Sequence, residues 1–101
     1  MRAEKLTVAN MGAACKLFRV RYLNESQLEF AVRHEMNVAN LCGFENGNVA
    51  SLKCFIAYIQ DGFLNHLFMI DESDIIKEVD FQKSAREYRL ARKAEKINAG
   101  N

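Results

Sequence analysis

Few residues of this chain combine the types and spacings that chemistry needs. Cys42, Cys54 and His66 offer two thiols and an imidazole, a donor set that suits zinc. Their steps of twelve residues lack the close ligand pair that zinc sites use, so the spacing predicts no metal. His34-Glu35 begins like the helix motif of zinc proteases, but Val38 stands where that motif needs its second histidine. No G-x-S-x-G elbow, no G-x-x-x-x-G-K loop and no G-x-G-x-x-G turn occurs. The expectation is a binding protein with no cofactor, rather than an enzyme.

Charge carries more information than its sum of +1. Arg2, Lys5, Lys16, Arg19 and Arg21 face only Glu4 in the first 21 residues, and residues 81–101 hold Lys83, Arg86, Arg89, Arg92, Lys93 and Lys96 against Glu87 and Glu95. Between them, residues 22–80 carry ten acids and three bases. A basic helical face is usually a solvated face, but six bases within 83–96 also suit phosphate contact.

These groups need elements to position them. At 101 residues the chain is sized for one domain with one core, here taken as 1–101. No proline occurs, so Gly, Asn, Asp and Ser must punctuate it. Thr7 reads as an N-cap, and Met11, Cys15, Phe18 and Tyr22 recur at helical spacing as far as Leu23. Ser26-Gln27-Leu28-Glu29 is a capping box that starts a second helix over 27–36. Gly43 after Cys42 predicts a helix end at Cys42. Val49, Leu52, Phe55, Ile56 and Ile59 form an apolar helical face that Asp61-Gly62 closes. Residues 61–70 read equally as helix or as a short hairpin or wing, because Asp-Gly between apolar runs is a hairpin signal. Ser73 caps a long helix over about 74–98, with Phe81, Ala85, Tyr88, Ala91 and Ala94 as an apolar stripe and Tyr88 expected in the core or a dimer contact. The fold class is therefore mainly α, with the central elements over about 27–70 and a long C-terminal helix.

Within 37–54, small and apolar residues sit where two tightly crossing helices need them: Ala39 at the crossing, Gly43 at the turn, and Val38, Cys42, Phe44, Val49 and Leu52 toward the core. This stretch resembles the helix-turn-helix of bacterial and phage transcription regulators. With residues 61–68 as a wing it is similar to their winged form. The resemblance implies a small DNA-binding regulator whose second motif helix enters the major groove. Asn46, Asn48, Ser51 and Lys53 then face the bases, and Val49 and Leu52 face inward. Phosphate contacts fall to Arg33, Lys83, Arg86, Arg89, Arg92 and Lys93, and the partner is double-stranded DNA bound by a homodimer.

Two other readings compete. The acidic middle fits a helical interaction module, such as a phage or mobile-element inhibitor or adaptor docking on a nucleic-acid-handling machine. A β-meander over 43–71, similar to the middle strands of acetyltransferase domains, would require a Gly-rich phosphate loop where Asp71-Glu72-Ser73-Asp74 stands. The apolar runs 54–59 and 67–70 are too short to span a membrane, which takes roughly 20 residues. Residues 8–15 end in a cysteine as a lipoprotein cleavage site does, but Gly12 replaces the branched apolar residue required there. Three cysteines without a C-x-x-C pair favour a reducing compartment. The chain is expected to be unprocessed and cytoplasmic.

Overall fold

The computed structural model describes residues 7–99, apart from the side chains of Val8 and residues 95–99. Arg2, Glu4 and Lys5, and the side chains of Glu95 and Lys96, thus lie outside the described residues. Helix α1 (Val8–Phe18) starts where Thr7 accepts the Asn10 amide at 3.1 Å. It runs on as a π-helical turn (Arg19–Leu23) until Asn24, at φ 53°, takes the left-handed conformation that asparagine tolerates. The Ser26–Glu29 capping box then opens α2 (Gln27–Arg33), with both reciprocal bonds made.

Asn37 caps α3 (Val38–Glu45), and Ser51 caps α4 (Leu52–Gln60) by accepting the Cys54 amide at 3.2 Å. After Gly62, at φ 95°, come the short α5 (Phe63–His66) and a 3-10 turn (Leu67–Met69). Helix α6 (Glu72–Ala99) closes the chain. Its cap is Asp71, whose side chain accepts the Ser73 amide at 2.8 Å, so the helix begins earlier than a Ser73 cap would place it.

Among the described residues there is no strand. The hairpin, wing and meander alternatives are corrected accordingly. Phe63, Leu67 and Ile70 are buried while Leu64, Phe68 and Met69 are exposed, a step of three or four that a helical turn satisfies and a strand's alternation does not.

The core gathers round Tyr58. Phe30 stacks on its ring at 4.4 Å between centroids, and Phe18, Phe44 and Phe63 pack around it at 6.1 to 6.3 Å. Such ring pairs add to the burial of their large apolar area. Helix α1 crosses α3 at Gly12. A Cβ there would lie 2.2 Å from the Phe44 carbonyl oxygen and 2.9 Å from that of Glu45, both backbone atoms that cannot rotate away. Gly12→Ala is therefore expected to destabilise by about 3 kcal/mol, the upper end for overpacking, as read from a urea unfolding midpoint. An unchanged midpoint would contradict this crossing.

Among the described residues, helix α6 buries side chains against the body through its first half, and Arg86 adds a polar contact to Asn46 and Asn48. Ile75 and Gln82 are buried and Val79 is partly so, while Lys16 pairs with Glu78 and Arg21 with Asp74. From Lys83 to Ala94 every residue but the half-buried Ala85 is exposed. The helix thus overhangs the body.

Candidate nucleic-acid interface

The helix pair expected over 37–54 is differently built. Helix α3 runs through Gly43 to Glu45 instead of ending at Cys42. Gly47, at φ 76°, takes the left-handed role assigned to Gly43, while the Gly43 carbonyl accepts the amides of Asn48 at 2.9 Å and Val49 at 3.2 Å. The connection therefore lengthens to residues 46–51.

Val49 and Leu52 do not pin α4 to the core, since they are 43% and 71% exposed. The buried face of α4 is Cys54, Ala57 and Tyr58, and its solvent side carries Leu52, Ile56 and Ile59. A recognition helix needs polar groups outward, and here α4 offers only Lys53 and Gln60 beside those aliphatics.

A tighter turn between two helices lies ten residues earlier. Helices α2 and α3 are joined by residues 34–37, with Glu35 left-handed at φ 53° and the Met36 amide donating to the Ala31 carbonyl at 2.9 Å. Phe30 and Ala31 of α2 and Leu41 and Phe44 of α3 are buried between the helices and the core, and Met36 packs against them. The connection thus combines a left-handed turn residue with apolar residues that hold both helices to the core. Sequence reasoning did not single out this turn because it sought a glycine there. The pattern Phe30-Ala31, Met36, Leu41, Phe44 was the available signal.

The first turn of α3 stands free. Asn37, Val38, Ala39 and Asn40 are all exposed and uncharged. Lys53 marks one end of this helix, donating to the Glu35 carbonyl at 3.3 Å. Arg86 marks the other, donating to the Asn46 carbonyl at 3.4 Å and to the Asn48 side chain. Of the residues expected to contact bases, Asn46 and Asn48 thus sit beside the basic helix, Ser51 is spent as a cap, and Lys53 reaches the motif turn.

The stripe of α6 that packs on the body, Ile75, Val79 and Gln82, continues at the same spacing as Arg86, Arg89 and Lys93 in the overhang. A cleft of about 300 Å³ opens there, lined by Lys16, Asn46, Asn48, Arg86 and Arg89 with Phe81 and Tyr88 at its side. Lys83 and Arg92 are also exposed, and Arg92 lies 5.9 Å over the Tyr88 ring. Tyr88 itself is 62% exposed on this chain and so is no core residue.

Arg33 departs from expectation. It lies between Asp61, at 2.6 and 3.0 Å, and Glu25, at 2.9 Å, with its charge already compensated. Although burial acts to raise the Asp61 pKa, hydrogen bonds from Arg33 and His34 outweigh it and hold the carboxyl below its ordinary 3.8. A depressed folded-state value contributes stability above the unfolded value and loses it as pH falls through the folded one. Asp61→Asn is therefore expected to flatten the decline of the urea midpoint below about pH 4. An equally steep decline in the variant would contradict the pairing.

The acidic middle is largely consumed by the fold. Of its ten acids, Glu25, Glu45, Asp61, Asp74 and Glu78 pair with bases, and Glu29 and Asp71 cap helices. Glu45, which precedes the expected recognition helix in sequence, is fully buried and receives Arg19 Nε at 2.8 Å and Nη2 at 2.9 Å, Gln27 at 2.9 Å and the Tyr58 hydroxyl. Among the described residues, the bases without a carboxylate partner are Lys53, Lys77, Lys83, Arg86, Arg89, Arg92 and Lys93. Five of these seven stand on the α6 overhang.

Cys42, Cys54 and His66 do not converge: the Cys42 sulfur accepts from Asn46, the Cys54 thiol meets Met36, and His66 lies 4.4 Å from the Tyr22 ring. No helix among the described residues is long and apolar enough to cross a membrane. No family model, curated protein or solved structure matches the chain.

Proposed function

We propose that the chain is a small DNA-binding protein of the transcriptional-regulator kind, with its helix-turn-helix at α2 and α3 and its phosphate grip on α6. The observation that carries this reading is the uncharged, exposed first turn of α3, on a helix that has Lys53 beside its N-terminal turn and Arg86 at its C-terminal end. Phosphate contacts position such a protein and base contacts specify its site. Arg86, Arg89 and Lys93 hold the first role, with Lys83 and Arg92 adding charge along the overhang. Residues 37–40 hold the second.

Pairing of two copies belongs to the same proposal. Phe81 and Tyr88 are 66% and 62% exposed on the overhang, an apolar area suited to a second copy. Sedimentation at several concentrations checks it, with a dimer expected.

A second reading, a helical protein-interaction module, draws support from the aliphatic solvent face of α4 rather than from the acidic middle. Fluorescence anisotropy of a labelled random duplex at low and moderate salt separates the two. The DNA reading expects binding whose logarithm falls linearly with the logarithm of salt, with a slope of about −4.5 for about five phosphates. Absence of binding at low salt favours the interaction module.

A further inference from the structure

We propose that the free turn of α3 selects A·T base pairs, an inference that rests on the DNA-binding reading above. The side chains available to the major groove are few. Asn37 spends its Oδ1 on the Ala39 amide at 2.7 Å. Asn40 is exposed, and among the described residues none engages its side-chain amide. Val38 and Ala39 present methyl groups between the two asparagines.

Each base edge asks for different chemistry. Guanine takes two donors from Arg or Lys at O6 and N7, and α3 carries neither residue. Cytosine needs an acceptor for N4, and Glu45, the one carboxylate on α3, is buried with its oxygens engaged by Arg19, Gln27 and Tyr58. Adenine presents an acceptor at N7 and a donor at N6, which one asparagine amide satisfies together, and thymine presents a methyl group that Val38 or Ala39 can meet. The complement of side chains therefore matches adenine with two bonds and thymine with a methyl contact, and offers guanine or cytosine at most a single bond from an asparagine amide.

The test is displacement of a labelled random duplex from the full chain by unlabelled alternating A·T duplex, alternating G·C duplex, and A·T duplex in which 7-deazaadenine removes the N7 acceptor. The A·T competitor is expected to act at about tenfold lower concentration than the G·C one. Asn40→Ala and the 7-deazaadenine substitution should each bring that ratio below about threefold, while the salt slope of binding stays unchanged. An unaltered thermal midpoint shows that the variant folds. Equal displacement by A·T and G·C duplexes overturns the inference. So does a preference that survives both changes, because it would come from groove shape or the minor groove. Failure to bind any duplex instead overturns the DNA reading itself.

Discussion

Glu45→Ala is expected to lower stability by about 3–5 kcal/mol, the cost of leaving one charge of a buried pair without its partner. Arg19 grips both Glu45 oxygens through Nε and Nη2, at 2.8 and 2.9 Å, while its Nη1 donates to the Glu25 carbonyl at 2.7 Å. Burial tends to lower the Arg19 pKa, but the Glu45 hydrogen bond and charge outweigh it and raise it, so the guanidinium stays charged in either background. Burial and then the Glu45 charge push the Tyr58 phenol up, which keeps its hydroxyl a donor to the carboxylate.

Removing Glu45 strands that cation beneath α1 and α3, and most small domains have only about 5–15 kcal/mol to lose. The paired change Arg19→Met with Glu45→Leu should recover part of the loss, because two apolar side chains avoid the desolvation of both charges while the buried Tyr58 hydroxyl loses its acceptor. Urea unfolding of the two variants reads both statements. A loss below about 1 kcal/mol for Glu45→Ala would place this pair at the solvent surface.

Replacing Arg86, Arg89 and Arg92 together with alanine is expected to weaken duplex binding at 0.1 M salt by about two to three decades. Each lost phosphate contact removes about 0.9 from the salt slope, so the triple variant should shallow it by nearly 3. All three side chains are exposed, and among the described residues none has a carboxylate partner. Surface changes of this kind alter stability little, which separates loss of binding from loss of fold. An unchanged slope would remove the overhang from the interface.

Local signals carried much of the fold. Thr7, the Ser26–Glu29 box and the long period of α6 each depend on neighbours within a few residues, and each helix formed near where those neighbours called for it, with α6 starting from Asp71 rather than Ser73 and α2 ending at Arg33. Helix α4 shows where local reasoning stops. Its sequence is apolar on nearly every side, so periodicity could not choose between burying Leu52, Ile56 and Ile59 or burying Cys54, Ala57 and Tyr58. The choice was made by Tyr58, whose hydroxyl must find a partner once its ring is buried and finds Glu45.

The candidate site was legible in part. The basic stripe of α6 was visible as charge, and Asn46 and Asn48 were visible as polar groups near a turn. That the two lie together, through Arg86, depends on contacts 38 to 40 residues apart that no spacing announces. The Arg19–Glu45 pair spans 26 residues and left no trace in pattern either. The turn at Glu35 escaped for another reason, since a left-handed position held by glutamate carries no glycine to mark it.

The central claim is that α3, rather than α4, meets the bases beside the α6 overhang. Mapping amide NMR shifts while a short duplex is added measures this directly. The predicted result is a set of perturbations at residues 37–40 and 86–93, with the α4 solvent face around Leu52, Ile56 and Ile59 unmoved. Perturbations confined to that α4 face, or none at all at low salt, would contradict it.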